Sequence, residues 1–296
     1  MPADPPPFVS VVVPTADRCA VVVGCLEHLL RQEDPGVGHE VIVVDDGSRD
    51  DTPAAVRKLE ASRADHVLRY VRRPRGGAGA ARNAGLELAR GELICFLDDD
   101  ALAPPRWLAE LVAGADRHPD AGLFGGPVRP RLEHRPPYTC PSHELAGMCL
   151  DHGPADTDVD EVWGCNMALR RSAVRATGPF DERLSVAEDW DWGHRLRAAG
   201  GRIVYLPDAW VVHRRLASDL GVSRLVVEYY RRGYVVGARD GSRETRGAPQ
   251  AAIDGLRHCA RARCTRGLTD AARSLGLWSG GLARRSRLAW HPGRGR

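Results

Sequence analysis

The 296-residue sequence has no apolar run near the ~18–20 residues needed to cross a bilayer as a helix. Its first residues, Met1-Pro2-Ala3-Asp4-Pro5-Pro6-Pro7, have neither the basic region nor the apolar core of a secretory leader. These two absences predict a cytoplasmic protein. The eight cysteines do not suggest a disulfide framework, because Cys19, Cys25, Cys95 and Cys165 fall within apolar or helical patterns and read as small core residues. Lysine is almost missing: Lys58 is the only one among 42 basic residues. So strong a preference for arginine is a compositional trait, and it argues against reading nucleic-acid binding from charge alone. A glycine-rich stretch, Gly76-Gly77-Ala78-Gly79, fits neither G-x-G-x-x-G nor the Gly-Lys-Ser/Thr of a P-loop, although a turn of this kind before a helix can cradle phosphate on its N–H groups.

What is present is a globular composition, 43% hydrophobic and 27% charged, long enough for one large α/β domain with an appendage. The net charge of +3 hides an asymmetry. Residues 214–296 carry 18 arginines against six acidic residues, a net of +12, so residues 1–213 carry 24 basic against 33 acidic residues, or −9.

Short β-rich runs alternate with helical periodicity. Phe8–Val13 is a buried strand stopped by Pro14-Thr15, and Val22, Cys25, Leu26 and Leu29 mark the helix that follows. Glu40–Val44 is a second strand ending in Asp45-Asp46, and Val67–Val71 is a third. Ala81, Ala84 and Leu88 form a helix's packing face that leaves Arg82 and Asn83 free to meet a ligand. The central strand, Glu92–Leu97, ends in Asp98-Asp99-Asp100, with a loop to Pro105 expected after it. Parallel strands joined by helices place all these polar ends on one sheet edge, where α/β folds bind ligands. Three adjacent acids repel one another unless a cation or hydrogen-bond donors hold them.

Ala121–Val128 is expected as a fifth strand, 129–160 as a crossing loop, Val162–Leu169 as a strand, and 202–206 and 209–213 as a short strand pair. Glu188-Asp189 opens a helix whose Trp192, Leu196 and Ala199 pack inward. Acids there also suit the helix dipole. Cys140-x2-His143 and Cys149-x2-His152 have spacings compatible with zinc. After Leu216, Arg-studded helices fill the chain. Leu275–Leu282 can lie on a membrane surface, or Trp278 can pack inward while the arginines face water.

VSVVVPTADR, VIVVDDGSRDDT and GGAGAARNAGLELARGELICFLDDDAL, followed in order by GCNMALRR, PFDERL, AEDWDWGHRLRAAG and a strand ending in His213, resemble a family 2 glycosyltransferase of GT-A fold over about residues 8–235. The resemblance implies an α/β, mostly parallel doubly wound sheet with helices on both faces, plus a helical C-terminal extension. Residues 1–128 would form the nucleotide-sugar half, 129–215 the acceptor half and 216–296 the extension. It implies a nucleotide-sugar donor, a hydroxyl acceptor, no nucleic acid, and Mn2+ or Mg2+. Pro14, Thr15, Asp17, Asp46, Gly77, Arg82, Asp98 and Asp99 would meet the donor. Asp100, Asp98 and His213 would hold the metal. Asp189, with Glu188, would supply the base, and Gly164, Asn166 and Trp190 would line the acceptor side. Ala16-Asp17 stands where the family usually has Tyr-Asn, a departure at the base-stacking position that bears on nucleotide preference. A polyprenyl-phosphate sugar synthase and a catalytically dead binding protein on the same fold are the alternatives. Peripheral membrane contact through the basic C-terminal segment is a further expectation.

Overall fold

The computed structural model describes residues 9–62, 67–133, 149–240, 244–262 and 265–289. They form two compact units, an α/β unit from 9–131 and 149–214 and a helical unit from 132–133 and 215–289. In chain order the elements are β1 (Val9–Thr15), α1 (Cys19–Leu29), β2 (His39–Asp45), α2 (Thr52–Ala61), β3 (Leu68–Arg72), α3 (Ala78–Leu88), β4 (Leu93–Leu97), β5 (Ala101–Leu102) and α4 (Trp107–Arg117). Then come β6 (Ala121–Gly125), β7 (Val128–Leu132), β8 (Thr157–Asp158), β9 (Asn166–Arg170), α5 (Arg171–Thr177), α6 (Glu188–Ala198), β10 (Arg202–Tyr205) and β11 (Val211–Arg215). The helical unit holds α7 (Val222–Asp240), α8 (Glu244–Ala262) and α9 (Thr265–Ala289).

The main sheet runs β3-β2-β1-β4-β9-β6-β10-β8, with β9 and β8 reversed among otherwise parallel strands. Its strands alternate between two buried faces, which is why they read as continuous apolar runs. Val9, Val11, Val13 and Cys95 pack with Val22 and Leu26 of α1, Val56 of α2 and Leu111 of α4. Val12, Ile42, Val44 and Phe96 pack on the other side with Leu86 of α3 and with Trp192 and Leu196 of α6. A Cβ on Gly85 would come within 2.3 Å of Val12 Cγ1, so glycine is what lets α3 lie directly on β1. The sheet is thus doubly wound, as the motifs imply.

Several local expectations are corrected. Ala101-Leu102 is a strand, β5, because it pairs antiparallel with β11. The run from Ala121 to Val128 is broken at Gly126-Pro127, and β6 and β7 belong to different sheets, the second ordered β5-β11-β7. The last two short strands separate in the same way, β10 joining the large sheet and β11 the small one. The strand expected from Val162 starts only at Asn166, after a turn closed by Asn166 N–H donating to the Trp163 carbonyl at 2.8 Å. The expected crossing loop carries β8 and the end of β7. Of the zinc candidates, Cys140 and His143 lie outside the described residues.

Candidate functional site at the strand edge

Three pairings bring the site together. Because β1, β2 and β4 run parallel, Thr15, Asp45 and Asp98 all reach one edge. Strand β9 runs the other way with Asn166 opposite Leu97, so the residues just before it, Gly164 and Cys165, arrive beside Asp98. Strand β11 pairs His213 with Ala101, and Arg214 N–H donates to the Asp100 carbonyl at 2.8 Å, which sets His213 next to Asp100.

The Asp98–Asp100 triplet is held by donors from four elements, which relieves the repulsion among its charges. Arg82 of α3 donates to Asp98 at 2.7 Å. Arg18 donates to Asp99 Oδ1 at 2.8 Å and to Asp100 Oδ2 at 2.9 Å, and Thr15 Oγ1 donates to Asp99 Oδ2 at 2.7 Å. His213 Nε2 lies 2.9 Å from Asp100 Oδ1. Burial, reinforced by Asp100 and Asp98, pushes the Asp99 carboxyl up to about 7 against the opposing pull of Arg18. One ligand atom each from Asp98, Cys165 and His213 all lie within 4.8 Å of one another. The buried Nδ1 of His213 has no hydrogen-bond partner among the described residues. A carboxylate, an imidazole and a thiol this close, with a buried ring nitrogen left over, fit a divalent metal.

The neighbouring acids behave differently. Asp46 is buried and its carboxylate accepts from Gly76 N–H (2.9 Å), Gly77 N–H (2.7 Å) and Arg73. The glycine-rich turn therefore cradles a carboxylate of the protein's own, with Gly77 at φ +93°. Asp17 is exposed in the left-handed region at φ 56°, accepting from Arg49 N–H at 2.6 Å and pairing with Arg75. These backbone and Arg75 bonds hold its carboxyl below the usual range. Pro14 stands one residue inside the edge, opposite Val44.

Across the edge, α6 begins after Ala187, whose φ of 61° places a side-chain-bearing residue in the strained left-handed region. Its first two residues point back at the triplet's partners. Glu188 is buried and binds Arg82, while Asp189 accepts from Gly164 N–H at 2.7 Å and from its neighbour Trp190 N–H at 2.8 Å. A Cβ on Gly164 would meet Arg82 Nη2 at 2.9 Å and Asp189 Cβ at 3.0 Å, so only glycine allows this approach. Burial raises the Glu188 carboxyl, Arg82 opposes that and Asp189 adds to it. Burial alone would lower the Arg82 guanidinium, but Asp98, Glu188 and Asp189 more than reverse it. Trp190 stacks on His194 with ring centroids 5.0 Å apart.

Two sequence expectations fail here for physical reasons. Arg82 and Asn83 are buried rather than free: Arg82 bridges Asp98 and Glu188, and Asn83 is bound to the Phe180 backbone and Glu182. Asn166 is fully buried and its amide is spent on Trp107, Pro127 and Ala209, so it is a brace rather than an acceptor contact. Sequence reasoning also missed Arg18, which binds two of the three acids, whereas Cys165 is the buried core residue that was expected. What the sequence did not show is that register also brings this buried thiol near Asp98 and His213. The signal for Arg18 was its place in the loop just after β1, level with the acid-bearing ends of β2 and β4.

Parallel strands that carry their acids to one edge, faced by a second acid pair at a helix start, define the GT-A type of α/β fold. The chain belongs to glycosyl transferase family 2, whose profile matches residues 10–178. It is 27% identical over 212 residues to the glycosyltransferase AglE of Haloferax volcanii, covering 70% of this chain and 67% of that one. It is 34% identical over 176 residues to the succinoglycan biosynthesis protein ExoM of Rhizobium meliloti, covering 58% of this chain but 55% of the relative. Among solved structures it resembles the mannosyltransferase PcManGT of Pyrobaculum calidifontis, determined with GDP-Man and Mn2+. That match has a TM-score of 0.61 at 21% identity and covers 98% of this chain and 77% of the other, a likeness of fold.

Proposed function

We propose that this protein transfers a sugar from a nucleoside diphosphate sugar to a hydroxyl acceptor with inversion at the anomeric carbon, aided by a divalent metal. The observation that carries this reading is the convergence on one edge of Asp98, Asp100, Cys165 and His213 with Asp189, drawn from separate strands and a helix start. Asp98, Asp100 and His213 would hold the metal, with Cys165 beside them. When bound, the metal neutralises charge developing on the departing diphosphate. Carboxylate and imidazole donors suit Mn2+, and a thiol is a ligand that Mg2+ avoids, so the donor set favours Mn2+.

The chain's own residues do the rest. Thr15 and Arg18 fix Asp99 and Asp100, so the donor meets a preorganised acidic edge. Arg82, locked between Asp98 and Glu188, ties the donor side to the base side. Asp189, held by two backbone N–H groups, accepts the acceptor hydroxyl's proton as that oxygen attacks the anomeric carbon from the face opposite the diphosphate. The carbon–oxygen bond to the diphosphate breaks as the new one forms, and one displacement inverts the centre. Trp190 stands next to the base on the acceptor side.

Thermal-shift measurements with UDP-, dTDP- and GDP-sugars, with and without Mn2+, test donor binding, since a ligand of the native state raises its stability. One donor class should stabilise the protein with Mn2+ present; no shift from any of them counts against the reading. Offering a hydroxyl acceptor and a polyprenyl phosphate side by side then separates transferase from lipid-phosphate synthase. Retention of configuration in the product, read by NMR, contradicts the single displacement.

A further inference from the structure

Every large apolar side chain that stands exposed among the described residues lies on α7, α8 or α9. The exposure is patterned. Val227, Tyr230 and Tyr234 recur at intervals of three and four along α7, and Leu275, Trp278 and Leu282 do so along α9, so each helix carries one apolar stripe. Trp278 is 44% exposed and Leu282 45%, in a unit with a core elsewhere to receive Ala271 and Leu277.

The packing of α7 on α9 accounts for how much of these side chains stays exposed. Cβ atoms on Gly233 and Gly237 would lie 2.1 and 2.2 Å from the carbonyl oxygens of Arg273 and Leu277. Reciprocally, Cβ atoms on Gly276 and Gly280 would lie 2.1 and 2.2 Å from those of Tyr230 and Tyr234. Two Gly-x-x-x-Gly motifs thus press backbone against backbone, and Tyr230 Oη sits 3.1 Å from Ser279 Oγ. A seam this tight leaves no room for large side chains between the two backbones, and those that flank it stay partly exposed. It is the packing used by helices in lipid, where apolar burial does not drive helices together.

Yet no described helix is long and apolar enough to cross a membrane. Arginines border the stripes: Arg224 and Arg231 are exposed and share the turns of Val227 and Tyr234 on α7. Residues 214–296 carry a net charge of +12. Tyrosine and tryptophan are the side chains that settle at the boundary between headgroups and acyl chains, and arginine pairs with lipid phosphate.

We infer that α7–α9 form a docking surface for an anionic lipid bilayer, lying along it rather than through it. Trp278, Leu275 and Leu282 enter the headgroup boundary, and the arginines meet anionic headgroups. The inference is independent of the proposed activity, because it concerns a unit that contains none of the proposed site residues.

The test uses the full chain and vesicles of phosphatidylcholine, alone or mixed with phosphatidylglycerol, in flotation assays without nucleotide sugar. Binding to the anionic vesicles should exceed binding to the neutral ones at least about tenfold, and should weaken as salt is raised. Tryptophan emission should shift to the blue on binding in wild type but not in Trp278→Phe. The double variant Leu275→Ser/Leu282→Ser, with an unchanged circular dichroism spectrum, should lose binding about tenfold or more. Equal binding to both vesicle types, wild-type binding by the double variant, or a dimer in sedimentation that this variant abolishes without any vesicle binding would each overturn the inference. Free inorganic phosphate that displaces the protein from vesicles at millimolar concentration would overturn the bilayer and leave a simple anion site.

Discussion

The two units solve opposite problems with the same alphabet. The α/β unit, from the acidic part of the chain, leaves no large apolar side chain exposed among its described residues and brings charges into pairs at one sheet edge. The helical unit, from the basic part, packs its helices through glycine and leaves apolar stripes in the open. The contrast separates two uses of a surface. In the first unit buried charge is held in pairs, which the proposed mechanism uses for chemistry, and in the second apolar area stays exposed, which the proposed docking uses for an encounter.

The contrast is broken most forcefully at Arg82. Arg82→Ala leaves Glu188 and Asp98 uncompensated and should cost ~3–5 kcal/mol of stability, read as a fall in the urea midpoint. Phe96→Ala, removing a fully buried ring that meets Phe180 edge-on, should cost a similar ~3–5 kcal/mol. In the helical unit the sensitive positions are glycines: Gly237→Val drives a side chain into the Leu277 carbonyl and should cost ~1–3 kcal/mol in thermal denaturation followed by circular dichroism.

A smaller effect concerns pH in the metal-free protein. The Asp99 carboxyl titrates near 7 in the folded chain against an ordinary 3.8. Between those values the folded state holds more protons than the unfolded state, so stability falls as pH rises from about 4 to about 7. Asp99→Asn should flatten that slope, and an unchanged slope would show that burial of Asp99 is not its source. The smallest effect is expected where the comparison is sharpest: Trp278→Ala should change stability by no more than ~0.5 kcal/mol, an indole lost at a position that does not hold the fold together.

How much could be read beforehand divides along physical lines. Strands buried on both faces and acids at their ends are local patterns, so β1, β2, β4 and the Asp98–Asp100 edge were legible. Register is not local. Nothing near Cys165 announces that β9 runs backwards with Asn166 opposite Leu97, and nothing near His213 announces its pairing with Ala101. Arg82 looked open because its place at the start of α3 says nothing of α6 arriving over it with Glu188. Asn166 looked like a ligand contact because the polar demand of the Trp107 indole and two buried carbonyls is invisible in the chain. In the helical unit the arginines were legible as composition, whereas the glycine pairs needed both helices side by side.

In the proposed mechanism Asp189 is the group that takes the acceptor's proton. Its most direct test is the turnover rate of Asp189→Asn with the donor that stabilises the wild-type protein, measured at a concentration where thermal shift shows the variant saturated. Unchanged donor binding and a rate lower by ~10²–10⁴ are expected. A variant that binds the donor and turns over at a near-normal rate would contradict that role and place the base elsewhere.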